Sequence, residues 1–137
     1  NQNDAAITLA HELGHYLGLR HVFSEGGTTS MCTDTDYCKD TPSYNRSEYE
    51  QWLNNLDKQN KYQLKDLAKR YSCEKGEYEA HNIMDYAYCF YNEITLEQRK
   101  RIRHILNYSP LIPGPKESRI DTRGVQGRLN LPICIMK

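Results

Sequence analysis

The chain has 137 residues, about one domain's worth, and its 18 basic side chains are balanced by 18 acidic ones. That balance leaves no electrostatic footprint for nucleic acid or an anionic membrane surface. Mean hydropathy is −0.84, and no apolar run approaches the ~18 residues of a membrane span.

Residues 4–17 predict a helix with Asp4 at its N-cap and Ile7, His11, Leu13, His15 and Leu17 along it. It should end at Gly18, because glycine accepts the left-handed conformation of a C-cap. Residues 24–46 are rich in Gly, Ser, Thr, Asp and Pro and read as a long loop. Ser47 and Glu50 form a capping-box pattern. Trp52, Leu53 and Leu56 follow at helical spacing, then Leu64, Leu67, Ala68 and Tyr71. With a break at 58–61, the stretch 44–72 reads as a helical insertion of two amphipathic helices on the surface, the alternative being a rim of a substrate cleft.

Residues 72–94 read as irregular. Thr95 with Gln98 makes a second capping box, opening a helix to about Tyr108 with Ile102, Ile105 and Leu106 inward. Its run of Arg99, Lys100, Arg101 and Arg103 reads as a solvated face, with no nucleic acid as partner. Residues 109–137 form a Pro/Gly-containing tail whose LPICIM could be a short strand.

The chemistry concentrates in HELGHYLGLRH, residues 11–21. His11 and His15 stand four apart on one helical face, so both imidazoles can reach one metal ion. Glu12 sits beside the first ligand, where its carboxylate can reach a water without coordinating. Gly18 turns the chain, and His21 supplies a third nitrogen. Three neutral histidines leave the fourth tetrahedral position of a zinc ion open, the mark of a catalytic site.

Five cysteines, Cys32, Cys38, Cys73, Cys89 and Cys134, are many for this length, and no C-x-x-C pair suggests a second zinc site. The first four favour two disulfides and an oxidising compartment, with three pairings open and Cys134 left over. Buried reduced thiols are the alternative.

HELGHYLGLRH resembles the metzincin signature at every fixed position. Asn82-Ile83-Met84-Asp85-Tyr86 resembles the methionine turn that metzincins place beneath their metal. Within that clan the chain is most similar to the pappalysin-like family. The similarity rests on Leu19–Phe23, on the Asp-Thr-Pro segment from Asp36 to Pro42, and on the turn followed by Cys89 and the Thr95–Gln98 helix. It spans roughly residues 5–106, with 43–73 mostly an insertion lacking family motifs.

The resemblance implies an α+β metzincin catalytic domain, here mostly helix and loop. Residues 1–108 would be its C-terminal part and need an N-terminal part as partner. It implies a zinc endopeptidase acting on internal bonds of protein or peptide substrates. Glu12 would be the general base, and Tyr86 would ligate zinc at rest or donate to the oxyanion. Met84 would be the apolar floor beneath His11, His15 and His21. It further implies calcium at Asp36, Asp40, Thr41 and the Cys38 carbonyl, for which a plain polar loop is the alternative. Disulfides Cys32–Cys73 and Cys38–Cys89 and an extracytoplasmic location follow from the same resemblance. A rival reading is a non-catalytic module that keeps zinc as a staple and binds protein or glycan; Glu12 has no role in such a site.

Overall fold

The computed structural model describes residues 2–24, 36–72 and 74–116. The first helix, α1, runs Gln2–Tyr16. It starts two residues before the expected position, so Asp4 lies in the first turn and not at the cap. An acidic group there still meets the positive end of the helix dipole, and its carbonyl accepts the Thr8 hydroxyl at 2.8 Å.

The end of α1 falls where glycine predicts it. Gly18 has φ +85°. Its amide donates to the His15 carbonyl, and the Leu19 amide reaches back to the Gly14 carbonyl, both at 2.9 Å. These two bonds make a Schellman turn. It reverses the chain and sends it past His21 into β1, Phe23–Ser24, which pairs in parallel with β2, Tyr44–Asn45.

The 44–72 stretch departs from its sequence pattern. Helix α2 runs Arg46–Asn54, capped by Asn45, whose side-chain oxygen accepts the Glu48 amide at 3.2 Å. Asn45 is extended while Ser47 already lies inside the first turn, so the Ser47–Glu50 capping box does not form. Helix α3 is a single turn, Leu64–Leu67. Beyond Ala68 the chain becomes strand β3, Lys69–Ser72, antiparallel to β4, Gly76–Glu79. The expected second helix is therefore corrected to a helical turn plus hairpin, and residues 72–94 are not wholly irregular. Along β3, Arg70 and Ser72 are buried while Lys69 and Tyr71 are exposed, the two-residue alternation of a strand.

Helix α4, Leu96–Tyr108, begins with the expected capping box. Ile102 and Ile105 are half-buried, whereas Leu106 is exposed, against expectation. Arg101 leaves the basic run to bond the Gly18 carbonyl and lies 5.7 Å from the Tyr37 ring. One apolar cluster joins Leu19, Val22 and Met84, with Ile83, Ile94 and Ile102 against it. A second joins Phe23, Tyr44 and Tyr49, with Leu53 and Tyr78. The segment read as a surface insertion thus supplies most of the second cluster.

Cys38 and Cys89 are both buried free thiols, which corrects the bridge expected between them. Each sits in its own surroundings. The Cys89 thiol donates to the Asn82 carbonyl at 3.3 Å and accepts the Tyr91 amide at 3.4 Å. Cys38 lies in the loop beside Asp36. Burial, then the negative charge of Asp36, pushes the Cys38 thiol up to about 11; burial pushes Cys89 up to about 12. Cys32, Cys73, Cys134 and the candidate strand in LPICIM lie outside the described residues. Among the described residues no helix is long and apolar enough to cross a membrane.

Candidate metal centre

The Schellman turn and the helical i, i+4 spacing bring three imidazoles together. The Nε2 atoms of His11, His15 and His21 lie 3.0 to 3.2 Å from one another. On a tetrahedral zinc with bonds of about 2.0–2.1 Å, ligand atoms stand roughly 3.3 Å apart, so the triangle is close to the size the ion requires. Three lone pairs facing each other at this distance repel unless a cation lies between them.

The tautomers suit the same role. His11 Nδ1 is 2.8 Å from the Ile83 carbonyl, and His15 Nδ1 is 3.0 Å from the Leu19 carbonyl. A carbonyl only accepts, so each Nδ1 carries the proton and leaves the Nε2 lone pair for the metal. The Leu19 carbonyl is presented by the turn that ends α1, so the helix stop and the ligand orientation share one cause. His11 is buried, and His15 and His21 are partly so.

Met84 is fully buried and packs against α1 at Gly14. Its amide donates to Asn82 Oδ1 at 2.9 Å, and its carbonyl accepts the Val22 amide at 3.4 Å. Asn82 and the buried Gln98 exchange two side-chain bonds. Asn82 Nδ2 donates to Gln98 Oε1 at 2.8 Å, and Gln98 Nε2 donates to Asn82 Oδ1 at 3.1 Å. Since Gln98 also closes the capping box with Thr95, α4 and the Met84 turn are tied at one point.

The Tyr86 ring stacks on His11 with centroids 5.2 Å apart and tilts against His21 at 4.5 Å. Glu12 is exposed on α1 beside His11. The structure brings the Tyr86 ring to the histidines and leaves Glu12 open to solvent.

The Asp36–Thr41 loop forms a separate oxygen-rich group. Asp36 Oδ1 accepts the Cys38 amide at 2.9 Å. Thr41 Oγ1 lies 2.6 Å from both Asp36 Oδ2 and the Cys38 carbonyl, although its one proton can serve only one of them. Asp40 Oδ2 accepts the Glu97 amide at 2.9 Å, whereas its buried Oδ1 has no hydrogen-bond partner. Burial raises the Asp40 carboxyl, but bonds from the Glu97 amide and the Thr95 hydroxyl outweigh it and hold the group below its ordinary value.

Two features of the centre were missed from sequence. Gly14 has no partner that the sequence marks, yet α1 runs through it and presents it to Met84. Arg70 read as a surface residue of an insertion, yet its side chain is 0% exposed and paired with Asp85, itself 2% exposed. Asp85 also accepts the Tyr44 hydroxyl and the Tyr86 amide.

Comparison with known proteins agrees with this geometry. Residues 1–107 match the model of the peptidase M43 family, described as pregnancy-associated plasma protein-A. The chain is similar to the extracellular metalloproteases of Arthroderma benhamiae and Trichophyton verrucosum. It is 38% identical to each over 98 residues, which make up 69% of this chain and 29% of the relative. The chain therefore spans under a third of the length of these curated relatives. No solved structure matches it. With the three histidines converging and the family model covering residues 1–107, the chain belongs to the pappalysin family of metallopeptidases, peptidase M43.

Proposed function

We propose that the protein containing this chain is a zinc-dependent endopeptidase that hydrolyses internal peptide bonds. The observation that carries the reading is the triangle of Nε2 atoms 3.0 to 3.2 Å apart, with two of the rings held by carbonyls in the metal-binding tautomer. His11, His15 and His21 would hold the ion. When bound there, zinc supplies Lewis-acid polarisation of a carbonyl and makes water a stronger acid. Glu12 takes the proton of the attacking water as general base and passes it to the leaving amine. Tyr86 donates to the developing oxyanion. Met84 is the methionine-turn floor beneath the ligands, supported by its burial against Gly14.

A structural calcium ion at Asp36, Asp40, Thr41 and the Cys38 carbonyl is part of the same proposal. It is supported by the oxygens of Asp36, Cys38 and Thr41 gathered in one loop and by the unpartnered Asp40 Oδ1. The relatives' description as extracellular supports an extracytoplasmic location. The substrate is a protein or peptide, seated between this chain and the N-terminal part of the catalytic domain.

The test is Glu12→Ala in the full-length protein, with zinc measured by mass spectrometry and cleavage followed on a denatured protein substrate. Zinc should remain stoichiometric while turnover falls by about 10²–10⁴, the usual contribution of a general base. Turnover at the wild-type rate would remove Glu12 from this role. Tight zinc binding with no cleavage by the wild-type protein would favour a non-catalytic binding module.

A further inference from the structure

The segment after Met84 holds an unusual backbone. Ala87 and Tyr88 are both left-handed, at φ 42° and 47°. Two consecutive residues with a Cβ in this region are strained, and such strain persists only where surrounding structure imposes it. The imposing group is Arg70, carried by β3. Its Nη2 donates to the Ala87 carbonyl at 2.8 Å and to the Tyr86 carbonyl at 3.3 Å. Its Nη1 is anchored to the carbonyls of Leu67 and Lys69, at 2.9 and 3.2 Å. The guanidinium lies 3.7 Å from the Tyr49 ring centroid and faces Asp85 Oδ2 at 3.5 Å, while Asp85 Oδ1 accepts the Tyr86 amide at 2.7 Å. Tyr86 is therefore gripped on both sides of its Cα: the amide by Asp85, the carbonyl by Arg70.

The geometry points to Arg70 as a positioning residue for the metal centre, a buried clamp that holds the Tyr86 and Ala87 carbonyls at the entry to the strained Ala87–Tyr88 backbone and so sets the Tyr86 ring against His11 and His21. The inference rests on the reading that Tyr86 acts at that centre. Through this clamp, the 44–72 stretch acts on the reacting end of the molecule from behind. A guanidinium suits the task because its planar fork can meet carbonyls on two sides at once, which an ammonium cannot.

The experiment compares Arg70→Lys, Tyr86→Phe and the double variant in the full-length, zinc-loaded protein. Arg70→Lys should lower kcat by up to about 10²-fold, the scale of a 1 Å misplacement by a mutation away from the chemistry, with KM and zinc stoichiometry unchanged. In the Tyr86→Phe background the same change should have no further effect on kcat. Ala87→Gly should restore activity to Arg70→Lys, because glycine holds a positive φ without a clamp. As a readout apart from activity, amide exchange across residues 85–89 should quicken in Arg70→Lys and not across α1. Additive losses in the double variant, or unchanged exchange at 85–89, would overturn the clamp. A Tyr86→Phe variant with wild-type kcat would instead overturn the role of Tyr86. Should Arg70→Lys not fold, Arg70→Gln with Asp85→Asn removes both buried charges together and is read by the same exchange and kcat comparisons.

Discussion

A methyl group placed on Gly14 would lie 2.4 Å from Met84 Sδ and 3.3 Å from its Cε. The helix that carries His11 and His15 thus rests directly on the turn that carries Met84. Met84 is 0% exposed, so its thioether has no solvent to swing into. Gly14→Ala should therefore destabilise the protein by about 1–3 kcal/mol, the cost of overpacking, despite alanine's better helix propensity. Zinc affinity should fall with it, because lifting α1 off the turn lengthens the His11–Ile83 bond. Adding Met84→Ala should recover part of the loss, as read by urea unfolding. Strictly additive effects would show that the two residues do not press on one another.

The amide pair of Asn82 and Gln98 gives a second test. Gln98 is 1% exposed, and truncating it to alanine removes the bond that Asn82 Nδ2 donates to it and the one that Asn82 Oδ1 accepts from it. Gln98→Ala should cost about 1–3 kcal/mol, the penalty for stranding a buried polar group. Once Gln98 is gone, Asn82→Ala should cost much less than it does alone. A double-mutant cycle by thermal or urea unfolding measures this coupling. A coupling energy near zero would mean that α4 is held to the turn by its apolar face alone.

Why the metal site was legible and its support was not follows from the range of the interactions. His11, His15, Gly18 and His21 lie within eleven residues, and their geometry is set by helical pitch and one glycine turn, both local. The capping box of Thr95 and Gln98 is local too, and it formed as expected. Arg70 belongs to a four-residue strand whose partner begins at Gly76, too short for its alternation to outweigh the helical spacing of Leu64, Leu67, Ala68 and Tyr71. Nothing local marks that arginine for burial, because its compensating carboxylate, Asp85, lies in another segment. The same reason hid the contact of Gly14 with Met84, 70 positions along the chain. The resemblance singled out Tyr86, which no local pattern marks, but it named no partner for the residues of 44–72.

The Asp36–Thr41 loop carries the last prediction. Thr41 Oγ1 has two acceptors at 2.6 Å and one proton, and the buried Asp40 Oδ1 has no hydrogen-bond partner. A divalent cation bound by these oxygens would supply the partner that Asp40 Oδ1 lacks. Oxygen-only donors, two of them carboxylates, favour calcium over zinc. Calcium at about 5 mM, above the ~10⁻⁴–10⁻³ M dissociation constants of extracellular calcium modules, should raise the melting temperature of the zinc-loaded protein. At that concentration, roughly 5 to 50 times the dissociation constant, the gain would be about 1–2 kcal/mol. Asp36→Asn should abolish this calcium-dependent shift and leave zinc stoichiometry intact, because the loop contributes no ligand to the histidine triangle. Magnesium serves as the control, since it demands a tighter octahedral site and should shift the melt little. A melting temperature indifferent to calcium would leave the loop as a polar turn, held to α4 by the bonds of Lys39 and Asp40 to Glu97.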